Sequence, residues 1–295
     1  MIGYDALVER AAAIVDLPVG LVAVSGPDAL TFLQSLLSQD LDGLAVGATR
    51  HALLLEPQGK LIADHHVVRV ADDDYWLRCE PEVAAQLASG LARFKIRVKL
   101  DIEDRTTTSR RVSVYGPRSG DVVPDAPTGV AVVRTDWTID ALVVSGFEFV
   151  GPADLVAGIE LSGIDVADSE ALEALRIEAR VPRQPRDIDE RTIAQEAYLD
   201  VGAVSFTKGC FVGQELVCRI DSRGHVNRSL RRIAAVEPIP LGVDVTYDDK
   251  VVGSVSSAAV SPRSGPIALA TLRREVPAGA AIMVGALAAT CLDGH

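Results

Sequence analysis

Little helical periodicity remains from Leu230 to His295, and this constrains the fold more than any other feature of the chain. Short runs such as RRIAAVE, VTYDDKVVGSVSSAAV, IALATL and AAIMVGALAATCL are separated by Pro and Gly turns. Runs of that length bury their apolar faces by closing on one another, so residues 230–295 are expected to form a small β-barrel or sandwich. Upstream, strand-like and helix-like runs alternate as an α+β lobe requires. The expected fold class is α+β: a first lobe over residues 1–110, a second over 111–229, and a C-terminal β-barrel. A chain of 295 residues, 48% apolar, can fill two or three such cores.

In chain order, Tyr4–Asp16 reads as an alanine-rich amphipathic helix. Leu21–Val24 is strand-like. Ser25-Gly-Pro-Asp28 then opens a helix, with Ser25 as cap, Pro27 in the first turn and Asp28 complementing the dipole. Thr49–Leu55 and Lys60–Val70 are two strands joined by the Glu-Pro-Gln-Gly turn. Tyr75–Cys79 and Lys99–Arg105 are strands flanking a helix over Pro81–Phe94. Arg111–Tyr115, Val130–Arg134 and Ala141–Phe149 are strands, and Gly151–Gly163 and Ser169–Arg180 are helices. Pro182–Glu190 is an extended, Pro-rich crossing segment.

The densest chemistry lies in SFTKGCFVGQE, Ser205 to Glu215. Gly209 and Gly213 flank Cys210 and permit close backbone approaches. QELVCRI has helix-forming composition, so the thiol sits in a tight loop before a helix N-terminus, where free N–H groups favour negative charge. Lys208 is two positions away, and both effects stabilise a thiolate. A buried apolar role for the cysteine is the competing reading.

KGCFVGQE resembles the signature of the YgfZ proteins, folate-binding relatives of the glycine-cleavage T-protein. LVCRIDSRGHVNRSLRR, EALRIEARVPRQPRDIDERTIAQEA, DALTFLQSLLSQDL and LLLEPQGKLIADHHVVRV are also similar to segments of that superfamily. The likeness runs from about Leu21 to the end and is weakest between Val112 and Gly151. It implies folate-binding lobes topped by a C-terminal barrel, with tetrahydrofolate or a one-carbon derivative as ligand. It gives Asp64 the place of the T-protein aspartate that faces the folate. It gives Glu178 the place of the glutamate that grips the pterin, whose two parallel N–H donors one carboxylate can accept. Arg180 departs from the small residue common there, and could pair with Glu178 or fill part of the pocket. Cys210 stands where T-proteins have an aspartate. On a strand Asp64 and His66 share a face that His65 does not, so His66 could tune Asp64.

Three functions follow from that resemblance. A YgfZ-like protein would support assembly or repair of iron–sulfur proteins, with client proteins or assembly factors as transient partners. A T-protein-like chain would be a folate-dependent one-carbon transferase, and a third form would bind folate without catalysis. In the first, Cys210 is the functional thiol and Lys208 holds it as thiolate or contacts an anionic ligand. Gln214 and Glu215 position the loop, and Arg219, Arg223 or Arg228 meets the glutamate tail of folate.

The net charge of −12 argues against nucleic-acid binding. Ser205–Arg232 nevertheless holds six basic residues against two acidic ones, which suits an anionic small ligand. Cysteines 79, 210, 218 and 291 form no C-x-x-C pair and no zinc-finger spacing, so no bound metal is expected. Cys218 is a resolving thiol or a buried helix position, while Cys79 and Cys291 read as structural. No apolar run reaches membrane-spanning length and the N-terminus lacks a signal pattern, so a cytoplasmic protein with no membrane partner is expected.

Overall fold

The structure, a computed structural model, describes residues 1–294 and, of Arg223, only its place at the end of a helix. Residues 20–104 build a five-stranded sheet in the order Thr49–Leu55, Leu61–Ala71, Asp74–Cys79, Gly20–Ser25, Asp101–Asp104. The Ala29–Leu36 and Ala84–Ala92 helices cover one face and close a core that includes Val24, Leu33, Leu54, Leu77 and Leu87. The cap of the first of these helices is Asp28 rather than Ser25, and its carboxylate accepts the amide of Lys99 at 2.7 Å.

The second sheet has the order Asp165–Val166, Ala12–Leu17, Ser109–Gly116, Leu142–Pro152, Ala131–Ile139. Its second member corrects the helix expected over Tyr4–Asp16. Only Tyr4–Glu9 is helical, and Ala12–Leu17 is a strand of this sheet. Alanine favours helix by tenths of a kcal/mol per residue, but pairing and burial override so small a preference. Ala12, Ala13 and Ile14 are all buried, opposite Tyr115, Val114 and Ser113. The helix expected over Gly151–Gly163 is likewise shortened: Gly151 and Pro152 end a strand, and Ala153–Ala157 alone is helical. The Ser169–Glu178 helix is capped by Asp168, which accepts the Ala171 amide at 2.8 Å, and buries Leu172 and Leu175 against Tyr4, Leu7 and Tyr115.

The C-terminal strands close into a six-stranded barrel in the order Arg228–Ala235, Gly265–Arg273, Lys250–Ser261, Asp244–Tyr247, Ala281–Val284, Leu287–Cys291. Closure leaves no unpaired edge. Ile233, Val255, Leu272 and Cys291 fill its interior, and Cys79 is buried in the first lobe.

Arg176 ties the Ser169–Glu178 helix and the crossing segment to the barrel. It is 3% exposed and donates to Glu173 at 2.6 Å, Asp187 at 2.7 Å, the Val181 carbonyl at 2.6 Å and Ser257 of the barrel at 2.7 Å. Asp187 also accepts from Ser256 and Ser257.

Gly213 presses its backbone into the hairpin turn of the first sheet. A Cβ there would lie 2.6 Å from the Glu56 carbonyl oxygen and 3.1 Å from the Gly59 Cα, and its φ of +82° is left-handed. At Gly209 a Cβ would meet nothing within 4 Å, so the close approach expected at both glycines occurs at one. Gly213→Ala should therefore lower unfolding stability by about 2 kcal/mol or more, whereas Gly209→Ala should change it by no more than about 0.5 kcal/mol. Urea titrations of the two variants measure the difference.

Candidate functional site

The hairpin register decides which side chains meet. His51 pairs with His66 and Leu53 with Asp64, so His51, Asp64 and His66 share one face of the first sheet. His51 Nε2 lies 2.5 Å from Asp64 Oδ1, and the two imidazoles stack with centroids 4.4 Å apart and planes 4° from parallel. Burial alone would raise the Asp64 carboxyl, but His51 beside it holds it below the usual carboxylate range. Burial drives His66 well below the ordinary histidine range. His65 faces the other way, 1% exposed, and burial pushes it down to about 4. The direct partner of Asp64 is thus His51, thirteen residues upstream, and His66 acts on that ring. Counting back across the Glu-Pro-Gln-Gly turn would have found His51.

The crossing segment fixes this strand from outside. Gln184 accepts the Asp64 amide at 2.9 Å and donates to the Ile62 carbonyl at 2.9 Å.

His51 and His66 line a cleft of about 880 Å³. Both sheets, the chain following the Ser169–Glu178 helix, and Arg232 of the barrel form its walls. His51, His66, Trp137, Arg180 and Tyr198 line it. Arg180 lies over the Tyr198 ring at 3.9 Å from the centroid, and Trp137 packs on Tyr115 at 4.6 Å. The cleft narrows to a pocket of about 100 Å³ that contains Asp64, Arg78, Arg111, Tyr115 and Glu148. Glu148 is 1% exposed and takes Arg111 at 2.5 Å, Arg78 at 2.7 Å and the Tyr115 hydroxyl at 2.6 Å. Sequence reading missed this cluster. Its trace is a glutamate between Phe147 and Phe149, the one charged residue of its strand.

Several residues assigned by position do other work. Glu178 borders the cleft, but its carboxylate accepts the hydroxyls of Tyr4, Ser261 at 2.5 Å and Ser264 at 2.7 Å. That edge is already engaged, so it does not stand open to two parallel N–H donors. Arg180 does not pair with it; besides stacking on Tyr198, it faces Asp293 at 3.8 Å.

Lys208 is buried and donates all three of its hydrogens, to the carbonyls of Gln34, Leu37 and Gln39 at 2.7, 2.8 and 3.0 Å. It caps the C-terminal end of the Ala29–Leu36 helix, where orphan carbonyls and the dipole attract a cation. An ammonium so occupied is not the counter-ion of a thiolate. Cys210 is exposed in the loop ahead of the Gln214–Arg223 helix. Gln214 is half-buried at that helix's start, and Cys218 is half-buried further along it.

Glu215 is turned to the exposed helix surface, where it pairs with Arg219 at 2.7 Å. Arg228 pairs with Glu196 at 2.8 Å in a separate depression. Neither Arg219 nor Arg228 lines the cleft. The side chain of Arg223 lies outside the described residues.

Lys208→Met should cost about 1–3 kcal/mol by stranding three carbonyls, while the reaction rate of Cys210 with an aromatic disulfide stays at the wild-type value. Denaturant unfolding and a thiol titration read the two effects separately. The Asp64 carboxyl lies lower in the folded chain than in the unfolded one, where it sits at about 3.9. It therefore contributes stability above that value and loses it as pH falls through the folded one. Asp64→Asn should flatten the acid limb of the stability–pH curve relative to wild type.

Residues 6–138 match the GCVT N-terminal domain. An aminomethyltransferase of Symbiobacterium thermophilum is 26% identical over 291 residues, covering 86% of this chain and 76% of that protein. One from a Nostoc species is 26% identical over 297 residues, covering 89% and 77%. An uncharacterized protein of Haemophilus influenzae is 25% identical over 214 residues, covering 71% and 69%. The crystal structure of glycine cleavage system aminomethyltransferase T from Bartonella henselae superposes with a TM-score of 0.82 at 21% identity, covering 98% of this chain and 87% of that one, and so shares the fold. Two α+β lobes and a closed barrel around one cleft, with residues 6–138 matching the GCVT N-terminal domain, give this chain the fold of the glycine-cleavage aminomethyltransferase.

Proposed function

We propose that the chain binds a reduced folate in the cleft and supports iron–sulfur proteins through the Cys210 thiol, in the manner of the YgfZ proteins. The observation that carries the folate half is the set of flat faces on one cleft: His51 on His66, Trp137 on Tyr115, and Arg180 on Tyr198. A volume of about 880 Å³ is of the size that drug-sized ligands occupy, and planar side chains suit a fused heteroaromatic ring. His51, Trp137 and Tyr198 would hold the ring, with Asp64 behind His51 at the narrow end. Bound there, a reduced folate supplies nitrogen atoms that carry a one-carbon unit. Glu178 fits this ligand less well, because three hydroxyls already occupy its carboxylate.

The thiol half rests on Cys210 being exposed on a loop fixed on both sides, by Lys208 before it and Gly213 after it. That loop offers the sulfur to a second protein. A cluster usually takes about four protein ligands, so contact with one would be shared with a client.

A second reading, folate-dependent aminomethyl transfer, is favoured by the two aminomethyltransferases that align over most of the chain.

Two measurements separate these readings. Titration calorimetry with tetrahydrofolate should give saturable binding that Trp137→Ala weakens. In cells lacking the protein, wild type should restore an iron–sulfur enzyme and Cys210→Ser should not. Restoration by both would leave a folate-binding role without the thiol. Restoration by neither, with tetrahydrofolate still bound, would favour the aminomethyltransferase reading.

A further inference from the structure

We propose that His51 is the group that exchanges a proton with the ligand in the cleft, and that Asp64 acts behind it as the residue that orients the imidazole. The proposal rests on the folate reading of the cleft and adds the acid–base group to it.

Access is the first argument. His51 lines both the wide cleft and the narrow pocket, whereas Asp64 lines the narrow pocket alone. A ligand filling the wide cleft meets the imidazole before the carboxylate. The second argument is the direction of the ring. An ionised carboxylate only accepts hydrogen bonds, so the 2.5 Å contact fixes the proton on Nε2 and leaves the lone pair on Nδ1. Nδ1 lies beside Gly202, where a Cβ would be 3.9 Å away, and Gly202 lines the same wide cleft. The basic nitrogen is therefore on the ligand side, next to a residue with no side chain to cover it.

The third argument is support. The parallel His66 ring holds the imidazole flat, and burial keeps His66 neutral, so a charged His51 would not face a second cation in the stack. Arg78 lies near His66, while Arg134, Asp136 and Arg180 surround the wide cleft.

The step is a proton transfer. An N–H bond of a protonated ligand amine breaks, an Nδ1–H bond forms on His51, and the electron pair stays on the ligand nitrogen. Asp64 balances the imidazolium charge, and the reverse step returns the proton. No oxidant or reductant takes part.

Nitrogen-15 NMR of the histidine side chains in the full chain tests this, with His51→Gln assigning the resonance. At neutral pH the wild type should show His51 with the proton on Nε2, and Asp64→Asn should give a mixture of tautomers. Tetrahydrofolate should shift the His51 Nδ1 resonance. A proton found on Nδ1 in the wild type overturns the proposal. So does tetrahydrofolate that perturbs the Trp137 indole resonance and leaves His51 unmoved. If tetrahydrofolate shifts nothing, the folate reading falls and takes the ligand step with it; the tautomer in wild type and in Asp64→Asn then decides separately whether Asp64 orients the ring.

Discussion

A single guanidinium holds a helix of the second lobe, the crossing segment and the barrel to one another beside the cleft. Arg176 leaves its helix, meets Asp187 in the crossing segment and reaches Ser257 in the barrel. Taking so large a charge out of water is costly unless every donor finds an acceptor. The network of Glu173, Asp187, Val181 and Ser257 supplies them. Because the partners come from separate elements, losing Glu173 or Asp187 takes one of two counter-ions from a buried charge. The cleft inherits that rigidity, since its wall over residues 178–182 lies between Arg176 and its partner Asp187.

The same arrangement reapportions the charges around the signature. Read as a string, Ser205–Arg232 is a basic stretch beside a thiol. In the folded chain Arg219 is spent on Glu215, Arg228 on Glu196, Arg232 on Asp293, and Lys208 on three carbonyls. Arg231 is turned into the barrel, bonded to Ser229 and the Val276 carbonyl. Among the described side chains, little of the apparent excess is left for an anion. The polar groups that do converge on the cleft come from elements scattered between Thr49 and Asp293.

What is legible in the chain is what local rules govern. The hairpin from Thr49 to Ala71, the loop-then-helix at Cys210 and the β-rich C-terminus each depend on neighbours within about a dozen residues, through turn chemistry and period. Ala12–Leu17 escapes such rules because its conformation is set by Val114 and Asp165, a hundred and more positions away. Lys208 escapes them for a related reason. Nearness in sequence suggests a pairing with Cys210, but a four-carbon stem carries the ammonium to a helix end in another lobe. His51 lies between these cases, since the turn that fixes its register is visible and only the counting across it is needed.

Gln184 has a consequence beyond its place near the site. The Leu61–Ala71 strand runs past the end of its neighbour, whose pairing stops at His66 opposite Arg78. The overhanging stretch would present bare amide and carbonyl groups, the kind of edge that recruits a foreign strand. One side-chain amide covers the Asp64 N–H and the Ile62 carbonyl together, and the Thr192 carbonyl takes the Leu61 amide. The crossing segment thus works as a guard against sheet-to-sheet association. A lesion that lifted it would endanger the solubility of the protein as well as the alignment of its cleft.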